Sequence, residues 1–573
     1  MRHLAAYFKK YKMETFIAPL FKMMEACFDL AVPLIVAKII DVGIAGQDRQ
    51  YIFTHFLLLI GMAVLGLLCS FAAQYFAARA AVGTATGLRH ELMEKLQSLE
   101  VRQLDQIGSA TLITRMTSDV NQVQNGINMF LRLFLRSPFI VFGAMILAFT
   151  INTRIALIFV GVIIVLFLIV FGIMAISAPM YRDVQHKLDG VTGQTRESLG
   201  GVRVIRAFGR EASEQQKFRA VNDRLLAALL RVGRVSALLN PLTYTVINAA
   251  IVLILWWGAD MVNGGVLLAG NVIALINYIS QILVELVKLA NLVVLLGKSV
   301  ASMGRIGQVL DTESTLCYSN GKGLEQEEII RFEDVSLRYA ETGDEALSHL
   351  SFSIMRGQSV GIIGGTGSGK SSLVHLIARL YDATGGCVYL DGVPIQSLSR
   401  QSILSKVAIV DQKPRLFTGT IRSNLLWGDS DADDTALWQA LEAAQAADFV
   451  HAKPKGLDEP VEQGGANFSG GQKQRLTIAR ALLRRADILI LDDSASALDF
   501  ATDAALRRAI AALPESKTRL IVSQRAGSVM HADQILVLDD GRLVGAGTHE
   551  TLMKSCDVYR EIYESQFDEE VGA

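Results

Sequence analysis

The stretch Gly364, Gly365, Thr366, Gly367, Ser368, Gly369, Lys370, Ser371 and Ser372 spells GGTGSGKSS, a match to G-x-x-x-x-G-K-[ST]. Its chemistry is the binding of a nucleoside triphosphate. Glycines let the backbone wrap a phosphate, and successive N–H groups together with a helix N-terminus supply positive potential. Lys370 is placed to reach the β- and γ-phosphates, and Ser371 to ligate Mg²⁺. The bland alternative is a glycine-rich turn. Context opposes it, because the apolar run SVGII (Ser359–Ile363) leads in and a helix is expected from Lys370. A second apolar run, Asp487–Leu491 (DILIL), ends in Asp492 and Asp493, and Asp492 fits the carboxylate that holds Mg²⁺ through water. Upstream, NFSGGQKQR (Asn467–Arg475) opens a helical run, so Ser469, Gly470 and Gly471 form a compact anion-binding N-terminus. Taken alone, that segment fits any glycine cap.

These motifs need an α/β domain to hold them. From about residue 329 to 573 the chain alternates short apolar strands, Gly turns and amphipathic helices, and Asp311–Glu328 reads as a linker. Residues 1–310 have another texture. Six apolar runs are each long enough for the roughly 30 Å hydrocarbon core: Phe16–Ile40, Phe53–Phe76, Phe130–Ile151, Ile155–Ala178, Leu239–Val262 and Val266–Leu296. The basic segment before the first run resembles a secretory leader, but no small-residue cleavage site follows. Lys22, Glu25 and Asp29 continue the run, which reads as a retained span. Short loops alternate with long polar ones, Gly83–Asn128 and Pro179–Ser236. The second carries many arginines, against Arg49 and Arg154 on the other side, which places the long loops in the cytoplasm. They are expected to prolong the membrane helices, with reversals near Leu104–Arg115 and Ala207–Glu214.

Composition agrees with two unlike halves. Of 573 residues, 51% are hydrophobic and 19% charged, below the roughly 25% charged of ordinary soluble domains. The formal charge of −1 gives no support for a nucleic-acid partner. Five scattered cysteines, without a CxxC, argue against a disulfide framework or a zinc site. In the last span Asn277, Gln281, Glu285 and Lys288 recur on one helical face, with Asn291 continuing it. The stripe reads as the wall of a substrate cavity or, equally, as structural pairing of Glu285 with Lys288 or with the first span.

Phosphate loop, SGGQ and LILDD, in this order and after six spans, resemble an ATP-binding cassette (ABC) exporter half-transporter of the multidrug or lipid type. The resemblance covers essentially the whole chain. It implies a six-helix transmembrane bundle of exporter type fused to an α/β cassette domain. It also implies ATP and Mg²⁺ as ligands, a bilayer, an amphipathic drug or lipid substrate, and a bacterial inner membrane. In that family two halves sandwich two ATP molecules, each between one half's phosphate loop and the other's SGGQ, here Ser469–Gln472. Tyr339 resembles the aromatic that stacks on adenine. Gln412 resembles the glutamine that senses Mg²⁺ and touches the membrane-domain loops. Glu462–Gly465 resembles a loop contacting the transmembrane half, Ser496–Asp499 the cross-dimer loop, and the two loop reversals the coupling helices.

Two positions depart from the family pattern. It puts a glutamate after the magnesium aspartate, to activate the attacking water, where this chain has Asp493, one methylene shorter. It then expects a histidine at the γ-phosphate, where this chain has Gln524, which donates a hydrogen bond but cannot become cationic. General-base assistance is worth about 10²–10⁴ in rate, so this chain's own site is expected to bind ATP and hydrolyse it slowly. With SGGQ intact, the expectation is a heterodimer in which this chain completes the partner's competent site. The alternatives are a homodimer with two impaired sites, an ATP-sensing regulatory subunit, or an ATP-gated channel.

Overall fold

The computed structural model describes residues 2–313, 316, 318–319, 321, 326–339, 343–494, 498–514 and 516–567. They fall into two compact units, one of residues 1–97 with 109–312, the other of 98–108 with 313–573.

The first unit is helical. Its helices are α1 (Arg2–Lys10), α2 (Lys12–Lys38), α3 (Arg49–Ser98), then α5 (Ser109–Thr114), α6 (Val120–Leu133), α7 (Arg136–Ile151), α8 (Thr153–Gly200), α9 (Val202–Ala207), α10 (Glu211–Ala237), α11 (Leu239–Asn263) and α12 (Ala269–Leu310). The short α4 (Val101–Ile107) belongs to the second unit. Long polar loops do prolong the apolar runs. The 50-residue α3 is about 75 Å long at 1.5 Å per residue, and α8 and α10 pack against each other beyond the apolar stretch of α8. The core gathers α2, α7, α8, α11 and α12 around Phe159, Leu166, Ile254, Leu275 and Tyr278.

Five described helical stretches are long and apolar enough to cross a membrane: Arg49–Ser98, Ser109–Ile151, Thr153–Gly200, Glu211–Asn263 and Ala269–Leu310. The run Phe16–Ile40 is helical in α2 and a following π turn (Ile39–Ile44), but Lys22, Glu25 and Asp29 keep it out of that set. The last span also begins later than the apolar run that starts at Val266. The N–H groups of Val266 and Leu267 turn back to the Met261 carbonyl, so the helix starts at Ala269. There Gly270 is required: a Cβ would stand 2.4 Å from the Ala37 carbonyl oxygen, and its N–H donates to Asp41 Oδ1 at 2.6 Å.

The second unit is α/β. Its main sheet runs in the order Arg542–Gly547, Gln534–Asp539, Ser359–Ile363, Thr518–Val522, Ile488–Asp492 and Val407–Val410. All neighbours are parallel except the first pair. A second sheet pairs Glu328–Leu337 antiparallel with Leu347–Met355 and Gly385–Leu390. Strands such as Ile488–Asp492 are buried throughout, as expected for a parallel sheet covered on both faces. Ser359–Ile363, Thr518–Val522, Ile488–Asp492 and the edge strand Val407–Val410 are consecutive neighbours in this sheet, and such sheets bind ligands outside the carboxyl ends of their parallel strands.

Candidate nucleotide site

Strand Ser359–Ile363 delivers the phosphate loop and α13 (Lys370–Ile377) receives it, the strand–loop–helix context that the sequence implies. Gly367 and Gly369 take φ of +86° and +95°, a left-handed backbone that side-chain-bearing residues rarely adopt. Lys370 is buried, and its Nζ donates to the carbonyls of Gly364 (2.9 Å) and Gly365 (2.6 Å) and to Ser368 Oγ (3.3 Å). The ammonium therefore sits inside the loop that it would serve. Burial holds its pKa below the ordinary lysine value, opposed by the nearby Asp493 and Asp492.

Asp492 ends its strand almost fully buried. Burial raises its pKa, and a hydrogen bond with Ser371 opposes the rise. A hydroxyl and a carboxylate in contact beside a phosphate loop form a hard-oxygen donor set that suits Mg²⁺, which keeps several waters and takes few protein ligands. Among the described residues no cluster of three His, Cys, Asp or Glu competes for a metal.

Asp493 follows with φ of +44°, and its N–H is bonded to the Val522 carbonyl at 2.9 Å. Its Oδ2 accepts from Gln412 Nε2 at 3.2 Å, so Asp493 and Gln412, 81 residues apart in the chain, are in contact. From the next strand, Gln524 places its Oε1 3.5 Å from Thr366 Oγ1 on the phosphate loop. Four sequence-distant loops thus meet. Tyr339 donates its hydroxyl to Ser372 Oγ at 2.9 Å and stays partly exposed.

Ser469 caps the helix Gly470–Leu483. Its Oγ accepts from the Gln472 N–H at 3.3 Å, while Gln472 Oε1 accepts from the Ser469 N–H at 3.0 Å. This reciprocal capping box leaves Ser469 and Gly470 at the helix N-terminus exposed. Among the described residues no hydrogen bond or ion pair joins Ser469–Gln472 to Gly364–Ser372. Of Ser496–Asp499, Ser496 and Ala497 lie outside the described residues. Asp499 caps the next helix through Thr502. In Glu462–Gly465 the Glu462 N–H donates to Asn467 Oδ1.

Several participants carried no sequence signal. Tyr381 meets Tyr339 edge to face at 5.0 Å and donates its hydroxyl to Asp105 of α4 at 2.7 Å. Gln566 grips the loop around Gln524, donating to the Gln524 carbonyl at 2.9 Å and accepting from the Ala526 N–H at 2.8 Å. In both cases the partners are far apart in the chain, so neither spacing nor periodicity reveals them.

The polar stripe of α12 is divided by its surroundings. Glu285 is buried and accepts from Arg136 (2.7 Å), Ser137 (2.7 Å) and Lys288 (2.9 Å). Arg136 continues to Asp29 of α2 at 2.8 Å, while Lys22 pairs with Glu25 and Ser70. Glu285 therefore reaches α2 through Arg136 rather than directly. Gln281 donates to the Asp29 carbonyl at 3.4 Å, and the exposed Asn277 bonds only its own helix.

Residues 15–286 match the ABC transporter transmembrane region, and residues 347–496 match the ABC transporter family, the segment with the phosphate loop and SGGQ. An uncharacterized ABC transporter ATP-binding protein of Bacillus subtilis, YfiB, is 36% identical over 573 residues, 100% of this chain and 99% of that protein. The chain belongs to the ABC transporter family. This ABC transporter chain is also 31% identical to an ATP-dependent lipid A-core flippase of Bordetella avium, over 94% of this chain and 91% of that one. A solved bacterial Atm1-family ABC exporter with ATP bound shares its fold, with a TM-score of 0.81, 22% identity, and 98% and 99% of the two chains covered. The fold is thus an exporter-type transmembrane domain fused to an ABC ATPase domain.

Proposed function

We propose that this chain is one half of an ATP-driven exporter, paired with a non-identical half, that moves amphipathic drugs or lipids out of a bacterial cytoplasm or inner leaflet. The observation that carries the proposal is the asymmetry of its ATPase domain. Its phosphate-loop face holds Asp493 against Gln412 and Gln524 beside Thr366, while its SGGQ helix keeps a complete capping box. ATP and Mg²⁺ bind through Tyr339, the loop Gly364–Ser372, Gln412 and Asp492. Hydrolysis runs mainly in the site that Ser469–Gln472 completes on the partner. With α2 as the sixth span, residues 1–310 form the membrane bundle, which alternates between inward- and outward-facing forms as the ATPase domains close and reopen.

Identity to a lipid A-core flippase supports an amphipathic lipid-like cargo. Within the stripe, Glu285 serves the buried ion network, while Asn277, Gln281 and the half-exposed Lys288, which also pairs with Glu285, line the cargo path. The test is ATP turnover by the reconstituted pair. Asp493→Asn leaves turnover nearly unchanged, whereas neutralising the partner's corresponding acid lowers it about 10²–10⁴-fold. Equal collapse from both changes, or rapid hydrolysis by this chain alone, overturns the proposal.

A further inference from the structure

At the short-loop end of the helical unit, Arg154, Leu157 and Ile158 of α8 face Trp257, Asp260 and Met261 of α11 across a cleft of about 580 Å³. Two features of this cleft lack a structural purpose. Arg154 is the second residue of α8 and Asp260 lies in the last turn of α11. A cation at a helix N-terminus and an anion at a C-terminus both oppose the helix dipole. Yet among the described residues neither the guanidinium nor the carboxylate has a hydrogen-bond or ion-pair partner, and both residues are exposed. Opposite charges lining one cleft without pairing fit a ligand that carries both charges itself.

We infer that this cleft binds the headgroup of a zwitterionic phospholipid of the phosphoethanolamine type. The phosphate takes the Arg154 guanidinium, whose planar fork suits two phosphate oxygens. The ammonium takes the Asp260 carboxylate and the face of Trp257, a cation–π partner. The apolar surroundings continue the site along the two helices. Gly161, one further turn along the Arg154–Leu157–Ile158 face, has open space where a side chain would stand, and Leu253, one turn from Trp257, is exposed. That trough suits an acyl chain, and the exposed Trp256 and Trp257 are of the residue type enriched at membrane–water boundaries. A simple anion would leave Asp260 unpaired, and a simple cation Arg154. Charge complementarity therefore selects the zwitterion of the bilayer itself.

The test uses the full-length chain assembled with its partner in detergent, mixed with dioleoylphosphatidylethanolamine or, separately, dioleoylphosphatidylglycerol. Bound lipid is counted by native mass spectrometry. The expected result is one retained phosphatidylethanolamine per cleft, favoured at least tenfold over phosphatidylglycerol. Arg154→Ala and Asp260→Asn each lose it, and the charge-swapped pair R154D/D260R recovers part of it. Equal retention of both lipids, or retention unchanged in either single variant, overturns the proposal. So does the absence of any retained lipid because the other half of the transporter covers the cleft.

Discussion

The phosphate-loop face and the SGGQ helix of the ATPase domain are both glycine-rich anion sites at helix N-termini, but they are held in different ways. Around the loop, a buried ammonium, a buried carboxylate and three further loops converge, bringing Asp493 and Gln524 to the phosphate-loop face. The SGGQ terminus needs almost nothing from elsewhere, because Ser469 and Gln472 satisfy each other's backbone within one turn. A site assembled from four loops can lose its base and its cationic hydrogen-bond donor while keeping its binding elements. A site built within a single turn stands or falls with that turn. The two faces can therefore diverge, and the proposed function assigns binding to one and completion of the partner's site to the other.

The largest expected effect tests the intact face. Ser469→Ala removes an oxygen that accepts from the backbone and lies where a γ-phosphate would meet the helix. Turnover by the pair should fall about 10²–10³-fold, the usual cost of losing one preorganised transition-state contact. A fall of less than threefold would place the partner's hydrolysis elsewhere. Next comes the binding face. Lys370→Ala should weaken ATP binding to this chain roughly 100-fold, about 3 kcal/mol, measured with a fluorescent ATP analogue, while the partner's site keeps its affinity. Loss at both sites together would mean that the faces are not separable.

Restoring the missing groups should have a smaller effect. Asp493→Glu combined with Gln524→His should raise hydrolysis on this chain's own loop about tenfold, a part of the roughly 10²–10⁴ that full general-base assistance supplies. The smallest effect concerns support. Gln566→Ala removes two hydrogen bonds to the loop around Gln524, each worth about 1 kcal/mol. Amide exchange at Ala526 should speed up about fivefold, with no change at the Gln472 amide on the other face.

Much of this asymmetry was legible in the sequence. GGTGSGKSS fixes its own geometry through glycine torsions and a following helix, and Ser469 with Gln472 forms a pattern four residues long. Apolar runs likewise revealed the long helices. What was hidden lies in contacts between distant segments. Gln412 and Asp493 are 81 residues apart, and Gln524 and Gln566 are 42 apart. Asp493 also adopts a left-handed backbone that its residue type permits but does not announce. The polar stripe of α12 shows the same limit. Its helical spacing was visible, but the burial of Glu285 depends on Arg136 from another helix, which the spacing does not reveal.

The most direct test is the fate of ATP at each site. Photolabelling the working pair with azido-ATP labelled at the α-phosphate, followed by separation of the two chains, shows which nucleotide each retains. The account predicts mainly ATP on Lys370's loop and mainly ADP on the partner. ADP on this chain in equal measure would contradict it.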